Sequence, residues 1–521
     1  MEFKYVPTVC PFCGTGCSFN LVVKDGKVVG TAPFQRSPVC DGKTCQKGHY
    51  AYELVNSDAR ITTPMVKKGD ALAEATWDEA LGVIAAKCGG FSPEQVAVIA
   101  SANATNEDIY TLKKLATEVF KTENFTSAAA VGIDASAGTI TDIAKADCIV
   151  AVGNIVESHP LIARRIANAK DKGAKVITID TYASPMAKMA TEFVKAAPGA
   201  EIDAIKEAAS LVEGKNTVVL FGVGVSNSEA AIAKAAKELA DEKGAVFCAL
   251  PSQANGRGAL ILGADKSYNA ILANDAIKAY YVMGEDLGPL DADFVVVQDS
   301  FLTETAKTAD VVLPAAVFAE VDGTLTNAER RIQLVRKAQE PAEGVKANWQ
   351  IVADVAAKLG ADFGYESAEA IFKEIYPELS FEAISTDGFM LEAKAAVIAD
   401  AEAPTAVSVS EDYPFALITG PTIWHGFGAS GTLSENCKSL IQEVPGLFVK
   451  ICKEDVKEYK LLAGDSVKIS TEKGSVTVPI MITNDVDKGT IFVPSMSVSE
   501  KCIYMLTDGE RALAAKIEKE A

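Results

Sequence analysis

Four cysteines crowd the start of the chain and decide what its first domain can be. Cys10, Cys13 and Cys17 stand within VCPFCGTGC and Cys45 follows in KTCQKG, a spacing of C-x2-C-x3-C-x27-C. Three thiols packed so closely cannot all serve an apolar core. A tight loop of this kind wraps one face of a metal cluster, and a distant thiol closes the cage. Iron–sulfur clusters take four thiolates. Structural zinc also takes four sulfur ligands, usually as two C-x2-C knuckles, and only one knuckle is present. The spacing therefore favours a [4Fe–4S] cluster over zinc. Gly14 and Gly16 let the backbone turn between ligands and bring N–H groups towards the sulfurs. The closing loop offers two thiols for the fourth position, Cys40 and Cys45. Cys45 is preferred because Lys47 and Gly48 follow it. A cation two residues past a ligand would stand beside an anionic cluster and stabilise its reduced state, which makes Lys47 a candidate electron relay. The plain alternative is a solvated surface lysine.

The chain has 521 residues and a formal net charge of −20, with a mean hydropathy of +0.14. That length supports several domains with ample core. Such acidity argues against a phosphate-binding basic face and against nucleic acid as a partner. The start, MEFKYVPT, runs straight into the cysteine motif without an apolar signal core, and no uncharged apolar run reaches membrane-helix length. A cytoplasmic location is expected. The remaining cysteines (Cys88, Cys148, Cys248, Cys437, Cys452, Cys502) are scattered singly and read as buried free thiols of a reducing compartment.

Along the chain, SFNLVVKDGKVVG reads as a β-hairpin around Asp25-Gly26. ITTPMVKKGD is a second short strand and turn, and Thr76-Trp77-Asp78-Glu79 is a capping box opening a helix. Strands and helices then alternate. Strands are expected at 95–101, 148–154, 175–180, 217–226, 245–251, 276–285, 292–301 and 309–320, with helices at 105–120 and 160–173. Strands apolar on both faces and separated by helices argue parallel sheets covered on both sides. Ligands of such sheets bind beyond the carboxyl ends of the strands, which points to the loops Gly153-Asn154, Asp180-Thr181, 251–258 and Gly284-Glu285. Composition shifts at AEAPTAVSVSEDYP, and the β-rich remainder reads as a compact barrel.

Together these features resemble the molybdopterin oxidoreductases, the Mo/W-bis-molybdopterin-guanine-dinucleotide proteins, and within them the formate dehydrogenase α subunit and the large iron–sulfur subunit of respiratory complex I. The resemblance rests on VCPFCGTGC with KTCQKG, on GNIVESHP (153–160), on QANGRGA (253–259), on the run from Val296 to Gln333, and on TGPTIWH (419–425). It implies an α/β fold: a [4Fe–4S] domain over 1–58, an α/β domain from 59–140 and 265–400, a Rossmann-like domain over 141–264, and a double-psi β-barrel over 405–521. The cofactor would lie in the cleft between them. The resemblance also implies pterin or nucleotide contacts at Asn154, Glu157, His159, Asp180, Asn255, Gly256, Gly258, Thr419, Gly420 and His425. Each has a structural alternative; His159 before Pro160, for instance, would cap a turn.

Three departures from the family pattern bear on function. Catalytic formate dehydrogenases hold the metal with a cysteine or selenocysteine followed by histidine, in the loop after the helix containing TNED. Here Gly132 and Ile133 take those positions. Asp134 or Ser136 could substitute only with a shift in register, and the alternative for Asp134 is a turn cap. Segment 265–275 is far shorter than the family's arginine-bearing insert. Pro421 and Tyr182 replace basic residues of two family turns, removing bidentate phosphate contacts. The resulting expectation is an electron-relaying subunit of a multi-subunit cytoplasmic redox complex, partnered by iron–sulfur or flavin proteins. Molybdopterin guanine dinucleotide with Mo or W is a doubtful second cofactor. An active Mo/W enzyme with an unusual or absent protein ligand, and a purely structural scaffold, are the alternatives. With His49, His159 and His425 the only histidines, a hydrolytic triad finds no support, and no G-x-G-x-x-G follows the first strand to suggest NAD.

Overall fold

The computed structural model describes residues 2–130, 132–134, 137–222, 229–393, 397–399, 402–426, 428–498, 501–507 and 511–520. The chain divides into two compact units, one made of 1–134, 253–392 and 428–438, the other of 135–252, 393–427 and 439–521.

In the first unit, the Asp25-Gly26 turn joins β2 (Ser18–Lys24) to β3 (Lys27–Pro33). Asp25 and Gly26 both have positive φ, 51° and 78°, the backbone a tight hairpin turn needs to follow strand twist. A strand not expected from the sequence, β1 (Phe3–Val9), pairs antiparallel with β2 at the sheet edge. Pro7 lies within it, and an edge strand tolerates a residue with no N–H to donate. Val6, Leu21, Val23 and Val28 are buried beneath this small sheet.

The second sheet of this unit has seven strands. Besides the hairpin of β4 (Met65–Lys68) and β5 (Ala71–Glu74), they are β6 (Val96–Ala100), β7 (Phe125–Ser127), β14 (Ala279–Met283), β15 (Phe294–Asp299) and β16 (Val311–Pro314), in the order β5-β4-β16-β15-β14-β6-β7. The five strands from β16 to β7 run parallel, and β4 pairs antiparallel at one side. Every residue of β6, β14, β15 and β16 is buried. Alternate residues feed opposite cores: Val96, Val98 and Ala100 pack on one face, Ala97 and Ile99 on the other. This period of two on a doubly covered sheet is why the strands read as unbroken apolar runs. The helix before β6, α2 (Trp77–Cys88), is capped by Thr76, whose hydroxyl accepts from Glu79 N at 3.2 Å.

The helix expected over 105–120 divides. It is α-helical over Asn106–Lys114 (α3), with Thr105 and Asp108 forming a reciprocal capping box, and continues as a π-helix over Leu115–Val119. Near its start Glu107 is buried and holds β17 (Gly323–Thr326), accepting from Thr324 N and bonding to Thr324 Oγ1, both at 2.8 Å. Burial raises this carboxyl from its ordinary 4.5 to about 8. The native state therefore keeps a proton that the unfolded chain releases above about pH 4. Between those values the native form binds more protons, so stability falls as pH rises. Glu107→Gln reproduces the protonated geometry, its amide donating to Thr324 Oγ1. Urea unfolding midpoints at pH 5 and pH 8 should lie closer together in this variant than in wild type.

In the second unit, β9 (Cys148–Val152), β10 (Lys175–Asp180), β11 (Glu192–Lys195), β12 (Thr217–Gly222) and β13 (Val246–Leu250) form a parallel sheet in the order β11-β10-β9-β12-β13. The positions expected to extend β12 to 226 lie outside the described residues. The C-terminal segment forms a closed six-stranded barrel from Phe415–Gly420, Thr490–Pro494, Val449–Cys452, Ser475–Thr483, Ser466–Ser470 and Ala512–Lys519. Its interior is aliphatic, with Leu417, Val449, Ile451, Val467, Ile469, Val478, Ile491 and Val493 fully enclosed. Among the described residues no helix is long and apolar enough to cross a membrane.

Candidate cluster site and cofactor pockets

The cysteine loop connects β1 to β2, and its ends are tied by Cys10 N donating to Cys17 O at 2.8 Å. The β-hairpin of β17 and β18 (Arg331–Val335) grips it from outside. Asn327 Nδ2 donates to Thr15 O at 3.1 Å, Gln333 Nε2 to Gly16 O at 2.9 Å, and Ala328 N to Gly14 O at 2.8 Å. Three consecutive carbonyls are thus held towards the hairpin. Gly16 has φ +70°, and a Cβ there would stand 2.6 Å from Asn327 Cβ and closer still to Gln333 Oε1. Glycine is needed for the turn and for the clamp alike.

Cys10, Cys13 and Cys17 are buried and Cys45 is partly exposed. Burial, then the charge of Cys45, pushes the Cys10 and Cys13 thiols up. Cys17 is pushed up first by its hydrogen bond with Cys40, then by burial. Buried thiols that resist ionisation in one another's company suit a site where iron supplies the compensating positive charge. On this ground Cys10, Cys13 and Cys17 fit the ligand set of a [4Fe–4S] cluster, with Cys45 the expected fourth. Cys45 acts on Cys10 and Cys13, whereas Cys40 is bonded to Cys17. Lys47 is not a solvated surface lysine: it is only 1% exposed, on the short helix α1 (Gln46–Tyr50) that begins after Cys45. Its charge counteracts the upward shift of the Cys10 and Cys13 thiols. A Cβ on the next residue, Gly48, would lie 3.4 Å from Cys10 Sγ, so α1 packs directly on the cage.

Both parallel sheets have a switch point, where the chain leaves one strand in one direction and returns on its other side. In the first unit it falls between β6 and β14. An open pocket lies at these strand ends, lined by Ser101, Asn103, Gly284, Asp299 and Ser300, with Pro11 of the cysteine loop among its walls. Burial lifts the Asp299 carboxyl to about 7, against hydrogen bonds from the backbone that follows. Ser101, Asn103 and Asp299 were not singled out from the sequence. The strand-end rule applied to β6 and β15, as it was to β14, would have reached them. The loop 253–258 borders the same switch point, and much of its polarity is spent internally. Asn255 N donates to Ala102 O, Asn255 Nδ2 to Ala104 O at 2.8 Å, and Thr326 N to Asn255 Oδ1 at 2.7 Å. A Cβ on Gly258 would collide with Oδ1 of Asn255 and of Asn106. Gly256 begins the helix Gly256–Ile261. Arg257, 2% exposed, donates to Ala328 O at 3.4 Å and so braces the hairpin that clamps the cysteine loop.

In the second unit the switch point lies between β9 and β12. Beyond β9, Asn154 Nδ2 donates to Glu157 Oε2 and, at 3.0 Å, to Tyr182 Oη. Tyr182 follows β10, donates to Glu157 Oε2 at 3.3 Å, and packs its ring on Phe492 at 5.3 Å. Asp180 is 1% exposed, and burial, augmented by the charges of Glu157 and Glu201, raises it to about 7. Asn154 Oδ1 and Asp180 Oδ2 are buried acceptors without hydrogen-bond donors. Two orphaned acceptors beside a carboxylate cluster fit a ligand edge rich in N–H groups, as guanine presents. His159 is fully buried with Nδ1 3.0 Å from Ser158 Oγ and Nε2 2.7 Å from Pro251 O, which assigns a proton to Nε2. His425 Nε2 likewise bonds Val444 O at 3.1 Å. Thr419 N donates to Arg511 O at 2.9 Å, and Gly420 faces the Phe492 ring. These three therefore hold the barrel mouth through protein contacts.

Where the family's metal ligand is expected, Gly132 has φ +81° and Ile133 is buried in the two-residue strand β8 (Ile133–Asp134). The Asp134 side chain and Ser136 lie outside the described residues.

A cysteine-rich loop with a switch-point pocket at its side, a second parallel sheet and a closed barrel are the parts expected of an iron–sulfur protein with a dinucleotide-binding barrel. The chain belongs to the molybdopterin oxidoreductase family: the family model matches residues 60–358, its Fe4S4 domain matches 3–57, and the molybdopterin dinucleotide binding domain matches 415–517. It is 34% identical to the F420-dependent formate dehydrogenase 2 subunit alpha of Methanococcus maripaludis, over 97% of this chain and 96% of the relative. It is 33% identical to the F420-dependent formate dehydrogenase subunit alpha of Methanocaldococcus jannaschii, over 95% of each. The fold matches acetylene hydratase from Pelobacter acetylenicus with a TM-score of 0.67 at 16% identity, covering 94% of this chain and 92% of that one.

Proposed function

We propose that this chain is an electron-relaying subunit of the formate dehydrogenase α type, working inside a multi-subunit cytoplasmic redox complex with iron–sulfur or flavin partners. Cys10, Cys13, Cys17 and Cys45 hold a [4Fe–4S] cluster that takes and gives single electrons, and buried Lys47 offsets its negative charge. The observation that carries this reading is the contrast between two loops. All four cysteines are present and their loop is clamped, while Gly132 and Ile133 offer no side chain able to ligate a metal or move a proton. Support comes from the alignment with the F420-dependent formate dehydrogenase 1 subunit alpha of Methanococcus maripaludis, which spans 677 positions, 156 more than this chain has residues. The relative carries segments with no counterpart here, in keeping with the short segment 265–275. Its description as an α subunit supports the assignment of partners.

A second reading is favoured by the orphaned acceptors of Asn154 and Asp180. In it, the second unit binds a pterin guanine dinucleotide through Asp180, Asn154 and Glu157, and the chain is a Mo/W enzyme without a protein ligand to the metal. A bound metal would supply an open redox site; Asp180 would receive and orient the purine edge. A scaffold role, with an irreducible cluster, is the remaining alternative. Elemental and pterin analysis of the anaerobically purified protein separates them. About four irons per chain, no molybdenum or tungsten, and a cluster reducible by dithionite are expected. Stoichiometric metal with pterin would establish the second reading, and an EPR-silent cluster under dithionite the third.

A further inference from the structure

We propose that the outer face of the three-stranded sheet β1–β3 is a docking site for an acidic protein that carries single electrons to and from the cluster. This rests on the reading of the chain as an electron-relaying subunit.

Alternation along the strands places Phe3, Tyr5 and Pro7 of β1 on one face with the residues paired to them, Lys24, Val22 and Asn20 of β2. Lys27 and Gly30 of β3 complete that face opposite Lys24 and Val22, and Val29 is the extra residue where the register slips. Phe3, Tyr5 and Val29 are 48%, 58% and 47% exposed. Large apolar groups gathered in solvent and rimmed by charge mark an interaction surface, and tyrosine is a frequent anchor of such surfaces.

Charge and area define the partner. Lys24 and Lys27 stand directly across the ladder from one another. Like charges so placed repel, and among the described residues no ion pair joins either to an acidic side chain. A partner presenting carboxylates offsets that repulsion. Residues 1–57 carry six lysines and arginines against four aspartates and glutamates, although the whole chain has a formal net charge of −20. An acidic carrier is therefore steered to this segment of an otherwise repelling molecule. Strands of seven residues, at about 3.3 Å per residue and about 4.8 Å apart, give a face of roughly 300 Å². That area suits a transient electron-transfer contact and is too small for a permanent dimer. Strand addition is closed off near the cysteine loop, because Pro7 has no N–H and its carbonyl accepts from Arg336 Nη1 at 3.3 Å. The face leads into that loop: from Pro7 to Cys10 is about 10 Å along a strand. One electron passes from the reduced carrier to the oxidised cluster, with no bond made or broken.

The test mixes the oxidised, anaerobically purified protein with a pre-reduced acidic ferredoxin and follows the cluster by freeze-quench EPR. Iron content and the signal after excess dithionite report on an intact cluster. In wild type the rate should saturate with ferredoxin and fall as salt rises. Lys24→Glu with Lys27→Glu should lower the low-salt rate about tenfold and remove most of its salt dependence. Lys172→Glu with Lys215→Glu, at exposed positions of the second unit, adds the same negative charge and should stay within about twofold of wild type. Tyr5→Ser should slow transfer at every salt concentration. Reversal at Lys24 and Lys27 that only matches the remote reversal would overturn the proposal, as would a Tyr5→Ser protein as fast as wild type. So would a wild-type cluster that dithionite reduces and ferredoxin does not. A wild-type dimer that Tyr5→Ser dissociates would give the face to a second copy and overturn it too. A protein without iron, or a cluster that dithionite fails to reduce, would overturn the relay reading itself, and the proposal with it.

Discussion

Cys13→Ser leaves the protein colourless. Iron should fall from roughly four atoms per chain to below one, and the broad visible absorbance should vanish with it. The reason lies in the loop's geometry. Cys13 is enclosed, and its sulfur lies 3.4 Å from Thr15 Oγ1. A serine hydroxyl at that depth is a poor thiolate substitute and cannot be replaced by water. Loss of one corner also leaves Cys10 and Cys17 as buried thiols whose burial already opposes ionisation, so the remaining three cannot easily retain a partial cluster. The parallel sheets of the fold lie elsewhere in the chain. Far-ultraviolet circular dichroism should therefore be nearly unchanged while iron analysis and visible absorbance collapse. A brown, iron-replete Cys13→Ser protein would contradict the assignment.

Arg60→Ala should lower the apparent melting temperature by the largest margin of any single charge removal outside the cluster site. Arg60 and Glu320 form an ion pair at 2.9 Å, with side chains 7% and 2% exposed. Arg60 also donates to Val55 O at 3.3 Å and Ala315 O at 3.4 Å, tying the segment after the cluster domain to the end of β16. Without the guanidinium, Glu320 keeps only Val317 N, at 3.0 Å, and remains as a buried charge. Breaking a buried pair from one side costs about 3–5 kcal/mol, whereas replacing both partners by apolar groups of similar volume costs much less. Arg60→Met with Glu320→Met should recover most of the loss seen in Arg60→Ala. Thermal denaturation of the two variants and wild type, followed by circular dichroism, checks both statements.

Much of this architecture can be read from residue order because the relevant physics is local. The thiol spacing, the Asp25-Gly26 turn, the Thr76 cap and the doubly buried strands β6, β9, β10, β14 and β15 each depend on a few neighbouring residues. What escaped depends on distant ones. β1 carries a proline and, near its start, a lysine, and it becomes a strand only because β2 offers it an edge. The helix from Asn106 has an unbroken apolar stripe, yet it widens to a π-turn at Leu115. The burial of Lys47 cannot be read from a lysine's identity. Asn255 and Gly258 show a related ambiguity. A polar, glycine-rich loop that locks itself to β17 looks, in sequence, the same as one that opens to a ligand. Acceptors left without donors, at Asn154 and Asp180, are visible only once every other bond has been placed.

The clamp on the cysteine loop also sets a timetable for biogenesis. Carbonyls of residues 14–16 are held by side chains and backbone at 327–333, more than three hundred positions downstream. While the ribosome has yet to deliver that hairpin, the thiols of the amino terminus belong to an unbraced loop. Iron delivery to a braced cage must then follow synthesis of most of the polypeptide, and a nascent chain stalled before residue 327 exposes its thiols to oxidants.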